Sequence, residues 1–166
     1  MKPYYLAAMV LAAAISPAFA QSAPPADMQT YMSSGEVQDL IAKAKAQPAK
    51  PLIAQPILSL APYRASLEYR NGPASPAAVH TTEAELMYVI DGSGTLVVGG
   101  ELVDGKQANA TNLSGSSIKD GKSIHVAQGD FTIVPENTPH QLIPDSGGPL
   151  ILMTFHVPRP VPGAPQ

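Results

Sequence analysis

The chain has four histidines, His80, His125, His140 and His156, and no cysteine. Any metal it holds must therefore be bound by nitrogen and oxygen, and thiol chemistry and disulfides are excluded. In "AVHTTEAELMYVI" His80 precedes Glu85 by five residues, with Thr81 and Thr82 as a bend that could turn both side chains toward one cavity. Sixty residues after His80, His140 ends the run "GDFTIVPENTPH". There Pro135 and Pro139 fix φ and stiffen the approach to its strand. Two neutral imidazoles and one carboxylate can hold a divalent first-row cation and leave positions open for water, oxygen or a chelating substrate. Iron(II) and manganese suit such ligands, and zinc and nickel (Fe, Mn, Zn or Ni) accept them too.

Other residues have weaker claims. Glu83 shares strand parity with Glu85 and competes with it, although a solvated rim position is the simpler expectation. His125 alternates with Ile124 and Val126 and reads as surface. His156, near the end of the apolar run "LILMTFHV", reads as a structural histidine that could reach the interior as an acid, base or hydrogen-bond partner. In "YRASLEYR", Arg64, Ser66, Glu68 and Arg70 share one face, expected in water, with the alternative that Arg64 or Arg70 stands at a cavity mouth and attracts an anion. Met87 and Val89 share Glu85's parity and should line the same cavity, with Phe131 or Ile133 as apolar walls.

The elements needed to position these groups are mostly strands. From Leu52 onward, short β-rich runs alternate with Gly, Pro, Asn, Asp and Ser, with strands expected near 57–60, 62–71, 76–81, 85–91, 94–99, 107–112, 122–127, 131–134, 140–143 and 149–157. "IDGSGTLVV" reads as a hairpin through Asp91-Gly92-Ser93-Gly94. The polar stretch 104–121 reads as an extended hairpin or loop, and its Asn109-Ala-Thr111 and Asn112-Leu-Ser114 matches to glycosylation acceptors carry little weight. One helix is expected over 35–47, opened by a Ser33/Glu36 capping box and stopped by Pro48. It is short and amphipathic and should lie against the domain, or cover an open sheet edge.

Two separated patterns resemble those of the cupin family, small double-sheet barrels of the jelly-roll type. "VHTTEAELMYVIDG" supplies a histidine, His80, a glutamate, Glu85, and a closing glycine, Gly92; "GDFTIVPENTPH" supplies Gly129, Pro135 and His140. The resemblance covers roughly residues 56 to 157 and implies an all-β, double-sheet jelly-roll β-barrel with a short N-terminal helix. It also implies His80, Glu85 and His140 as metal ligands. The sequence departs from the pattern at Ala78, where a further histidine ligand would fall, and at Asn137, a turn position usually held by glycine. The resemblance implies a metal-dependent enzyme on a small molecule, of dioxygenase, isomerase or lyase type. Two alternatives remain open: a non-catalytic module binding a small ligand or metal, and a barrel with a vestigial site. A homodimer is implied as well, through an edge strand such as 57–60.

Around this domain, "MKPYYLAAMVLAAAISPAFA" has the charged head, apolar run and small-residue site of a secretory signal peptide cleaved after Ala20. A periplasmic or secreted protein is expected, with no membrane attachment in its mature form. Residues 21–50 form a tail and the helix, 51–158 the barrel domain, and 159–166 a Pro-rich tail. The whole chain carries 10 basic against 13 acidic residues without a basic run, so nucleic acid is not an expected partner and a small molecule is.

Overall fold

The structure, a computed structural model, describes residues 28–72 and 75–159. The expected leader with its cleavage site, the tail at 21–27 and residues 160–166 lie outside the described residues.

The helix α1 (Ser34–Lys45) begins where the capping box places it. The Ser33 side chain accepts from the Glu36 backbone amide, and the Glu36 carboxylate accepts from the Ser33 amide at 2.7 Å, satisfying orphan donors of the first turn. Thirteen strands follow among the described residues: β1 (Leu52–Leu60), β2 (Tyr63–Arg70), β3 (Ala77–His80), β4 (Glu83–Asp91), β5 (Ser93–Val98), β6 (Glu101–Val103) and β7 (Lys106–Asn109), then β8 (Asn112–Gly115), β9 (Ser117–Lys119), β10 (Lys122–Ala127), β11 (Phe131–Val134), β12 (His140–Pro144) and β13 (Leu150–Pro158). No helix among the described residues is long and apolar enough to cross a membrane.

The strands form a five-stranded sheet, β1-β2-β13-β4-β11, a six-stranded sheet, β10-β5-β12-β3-β8-β7, and the ribbon β6-β9. The jelly-roll expectation holds, but the sheets keep free edges and do not close into a barrel. Met87, Val89, Leu96, Val126, Val134, Leu142, Leu150 and Leu152 form the buried core between the two sheets. On the outer face of the five-stranded sheet, Ile41 and Ala44 of α1 pack with Ile57, Leu67, Tyr69 and Ile151. Strand β13 is buried on both faces, so its apolar run shows no alternation. The helix thus covers part of a sheet face instead of an edge.

Three local expectations need correction. First, Asp91-Gly92-Ser93-Gly94 is not a hairpin, because β4 and β5 belong to different sheets. It is a corner where the chain changes layers. Gly92 has φ +82°, and a Cβ there would lie 2.1 Å from the Pro149 carbonyl oxygen; glycine serves close backbone approach as well as the turn. Second, the region read as one strand at 107–112 is two, β7 and β8, turned through Ala110-Thr111, and β6 and β9 form an additional ribbon. Third, Phe131 and Ile133 do not line a cavity: they point outward and are 73% and 62% exposed, with Phe131 against the Tyr88 ring at a centroid distance of 4.6 Å. The reason is register. Val134 pairs with Glu85 and so takes the inward parity, which leaves Ile133 and Phe131 outside.

Candidate metal centre

Four strands from both sheets bring the site together. Strand β3 ends at His80 in the six-stranded sheet; Thr81 and Thr82 carry the chain across, and β4 begins at Glu83 in the five-stranded sheet. His80 and Glu85 consequently face each other across the interior. His140 opens β12 beside Ala78 of β3, after a turn in which Asn137 adopts φ +59°. Asn tolerates that left-handed conformation, so the departure from glycine leaves the turn intact. Strand β13 pairs His156 directly with Glu85.

His140 Nε2 lies 2.9 Å and His80 Nε2 3.2 Å from the same oxygen of Glu85, Oε2. The three residues predicted as ligands are thereby within reach of one ion, and both His140 and Glu85 are buried. Each imidazole is held from behind. The His140 Nδ1 is 3.1 Å from the Thr138 carbonyl oxygen, which can only accept, so Nδ1 carries the proton. For His80 the assignment runs through two asparagines. The Thr111 backbone N–H donates to Asn109 Oδ1 at 3.0 Å, and Asn112 Nδ2 donates to that same oxygen, also at 3.0 Å. Asn112 therefore turns its Oδ1 toward His80 Nδ1, 2.6 Å away, and accepts the proton there. When both rings are neutral, each Nε2 is left with a lone pair facing a carboxylate oxygen, and a proton on either Nε2 would instead donate to that oxygen.

Three acceptors converging without a proton among them repel one another, so the arrangement calls for a cation or for added protons. The directions in which these groups are shifted agree. Burial alone would lower the pKa of His80, but its contacts with Glu85 and Asn112 and the nearby Glu83 outweigh burial and raise it. Burial alone would raise that of Glu85, but hydrogen bonding to His140 and His80 and the nearby imidazole charge hold it well below the usual carboxylate range. The donor set thus fits a divalent cation held by nitrogen and oxygen, with Asn112 and the Thr138 carbonyl fixing the two rings from behind.

Residues given weaker claims by the sequence complete the cluster. Glu83 is buried, not a solvated rim residue, because β4 places it on the same inward face as Glu85. Its two carboxylate oxygens take the forked guanidinium of Arg64, one bond measuring 2.8 Å and the other, between Nη2 and Oε1, being shorter. Burial would raise the pKa of Glu83, but Arg64 and the adjacent imidazoles lower it. Arg64, half-exposed, thus reaches the cluster from the surface through Glu83. Arg70 donates through Nε and Nη2 to Glu68 in a second pair, and this one is largely buried. The expectation of a wholly solvated face on β2 fails because that face continues the inward row of β13, with Arg64 paired to His156 and Glu68 to Leu152. His156 is buried, with Nδ1 3.0 Å from Glu83 Oε1 and Nε2 3.9 Å from Glu85 Oε1. Its pKa is lowered by burial, partly offset by the two carboxylates. His125 lies on the surface beside Asp145, as expected. Met87 and Val89 share the inward face of β4 with Glu85, as expected, and are buried in the core between the sheets.

No protein-family profile and no curated protein matches the sequence. Solved structures do match the fold. A Bacillus halodurans protein superposes at a TM-score of 0.53 with 13% identity, over 84% of this chain and 89% of its own. The cupin domain of Schizosaccharomyces pombe Cnp3 matches at 0.50 with 12% identity, over 66% of each chain. The iron(II) form of HppE matches at 0.50 with 13% identity, over 65% of this chain and 52% of its own. With its two facing sheets and the crossing between them at Thr81-Thr82, the chain folds as a cupin.

Proposed function

We propose that His80, Glu85 and His140 hold a divalent first-row cation, and that the protein is an exported metal-dependent enzyme acting on a small molecule. The observation that carries this reading is the convergence of two imidazole Nε2 atoms on one carboxylate oxygen, Glu85 Oε2, at 2.9 and 3.2 Å, with the Thr138 carbonyl oxygen and Asn112 Oδ1 placed to accept from the Nδ1 side of each ring. A neighbour of the same fold that was solved with iron(II) supports it. When bound, such an ion acts as a Lewis acid and binds water, oxygen or a chelating substrate at its open positions. The chain's own residues do the rest. The two imidazoles and Glu85 would hold the ion, and Met87 and Val89, on the same face of the strand as Glu85, continue into the packed core. Arg64, half-exposed and paired with Glu83, presents positive charge along the approach and favours a substrate with an anionic or oxygen-bearing end. The reaction belongs to the dioxygenase, isomerase or lyase types.

Elemental analysis of the purified protein beside a His140→Ala form tests the first step. After supply of iron, manganese, nickel and zinc, the wild type should carry about one equivalent of metal, and the variant clearly less. Equal, near-zero loading of both would remove the mechanism.

A further inference from the structure

We propose that the outer face of the five-stranded sheet, where α1 leaves it uncovered, receives a second copy of this chain, in a two-fold dimer that sets β11 of each copy over β2 of the other. The inference is independent of the metal reading. The strand registers lay an apolar row across all five strands of this face: Ile133 pairs with Leu86, Leu86 with Phe155, Phe155 with Ala65 and Ala65 with Leu58. Helix α1 packs over the next rows, at Leu67, Tyr69 and Ile151, and stops there. Beyond it Phe131 and Ile133 stand largely in solvent, and Tyr63, Leu60 and Val157 are 55%, 43% and 41% exposed. Since an aromatic side chain alone covers about 150–250 Å², these five offer on the order of 500–600 Å² per copy before the partly covered Leu86, Tyr88 and Phe155 between them are counted. That is more than a monomer ordinarily leaves in one patch, and it approaches the ~800 Å² per partner of a standard interface.

The shape of the face points to a second copy as its occupant. Phe131 and Ile133 form a ridge on β11, the free edge of the sheet. Three strands away, about 14 Å at the usual strand spacing, a groove of about 290 Å³ opens between Phe155, Val157, Tyr63, Leu58 and Leu60, with Ala65, the smallest member of the row, among its lining residues. A two-fold axis lying between two such faces and running midway between β4 and β13 places each ridge over the other copy's groove. Both halves of an isologous contact are therefore present on one surface. In such a contact the patch meets its own copy, so charge within it would meet like charge; the outward residues of β4, β11 and β13 carry none. The edge at 57–60, the expected pairing strand, is partly occupied by the chain itself: Gln29 and Ser59 exchange two backbone hydrogen bonds of 2.9 and 2.8 Å. A second copy thus has a more open place on the face than on that edge.

Analytical ultracentrifugation of the protein tests the dimer, and cysteine cross-linking tests its arrangement. The wild type should sediment as a dimer at micromolar concentration. Ile133→Lys, at a position already in solvent in the single copy, should weaken dimerisation about tenfold or more, as loss of a central apolar contact does. Ile124→Lys, exposed on the six-stranded sheet, should leave it unchanged. Because the chain has no cysteine of its own, a mixture of Ile133→Cys and Tyr63→Cys proteins under mild oxidation should form the mixed disulfide in preference to either self-linked pair. A wild type that stays monomeric, or a dimer that Ile133→Lys leaves as tight as before, would overturn the proposal. Self-linked pairs in excess of the mixed one would overturn the placement of β11 over β2. If Ile133→Lys does not fold, the cross-linking pattern decides alone.

Discussion

The chemistry of the centre is set by where a few protons are held, and the residue most responsible after the ligands is Asn112. Its amide orientation is fixed through Asn109 by the Thr111 backbone N–H, and this fixes which nitrogen of His80 faces Glu85. Asn112→Ala should lower metal affinity by about 10- to 100-fold, the range for loss of a group that orients a ligand. Asn112→Asp, which keeps the acceptor, should retain most of it; isothermal titration with manganese or zinc checks both, and equal losses would count against control of the tautomer. Glu85 and Glu83 make a second contrast. Glu85→Gln removes the oxygen shared by two imidazoles, whereas Glu83→Gln removes an acceptor that belongs mainly to Arg64. The first should weaken metal binding clearly more than the second in the same titration, and the reverse order would place the ion against Glu83. His80, Glu85 and His140 were legible from spacing because the motifs are local. Asn112 was not, since its contact with His80 spans 32 positions and its sequence looks like a glycosylation acceptor in a polar loop.

At the scale of elements, the crossings between sheets position the centre, and sequence signals for a turn do not reveal what the turn joins. Gly-rich Asp91-Gly92-Ser93-Gly94 has the composition of a hairpin, but its strands part into different layers. The difference lies in long-range pairing: β4 takes β13 and β11 as neighbours, and β5 takes β10 and β12. Helix α1 was legible almost to the residue because its capping box is local, while β13 concealed the inward face of β2 because both of its own faces are buried. The corner itself gives a sharp test. Gly92→Ala must adopt a positive φ and displace the Pro149 carbonyl, which a Cβ would meet at 2.1 Å. Such strain costs of order 1–3 kcal/mol, so chemical denaturation should show a clear loss of stability. Gly147→Ala, where a Cβ meets nothing within 4 Å, is the control and should change little. Equal stability of the two variants would mean that the corner relaxes freely.

For the molecule as a whole, the centre joins the two sheets at one end of the core, so occupancy of the site and stability of the fold should be linked through protons. In the metal-free protein the carboxyl pKa values of Glu85 and Glu83 lie below 4.5, and their contribution is present above that pH and lost as it falls through the lowered values. His156, lowered from 6.5, acts in the same sense, contributing fully above 6.5 and less in acid. His80 acts in the opposite sense. Raised from 6.5, it contributes fully below that pH and loses its contribution as pH rises through the raised value, when the proton facing Glu85 leaves. A bound cation takes the place of that proton, so binding releases protons and strengthens as pH rises. The chelated protein should therefore lose the His80 contribution on the alkaline side while the metal-loaded protein does not. The difference in Tm between the two forms should widen from about pH 6 to pH 8, around the unperturbed histidine pKa of about 6.5. Scanning calorimetry of both forms at matched ionic strength measures it. In His80→Gln the widening should shrink, because the proton that competes with the ion at that ring is gone. A Tm difference that stays constant across this range would show that no proton at His80 competes with the ion.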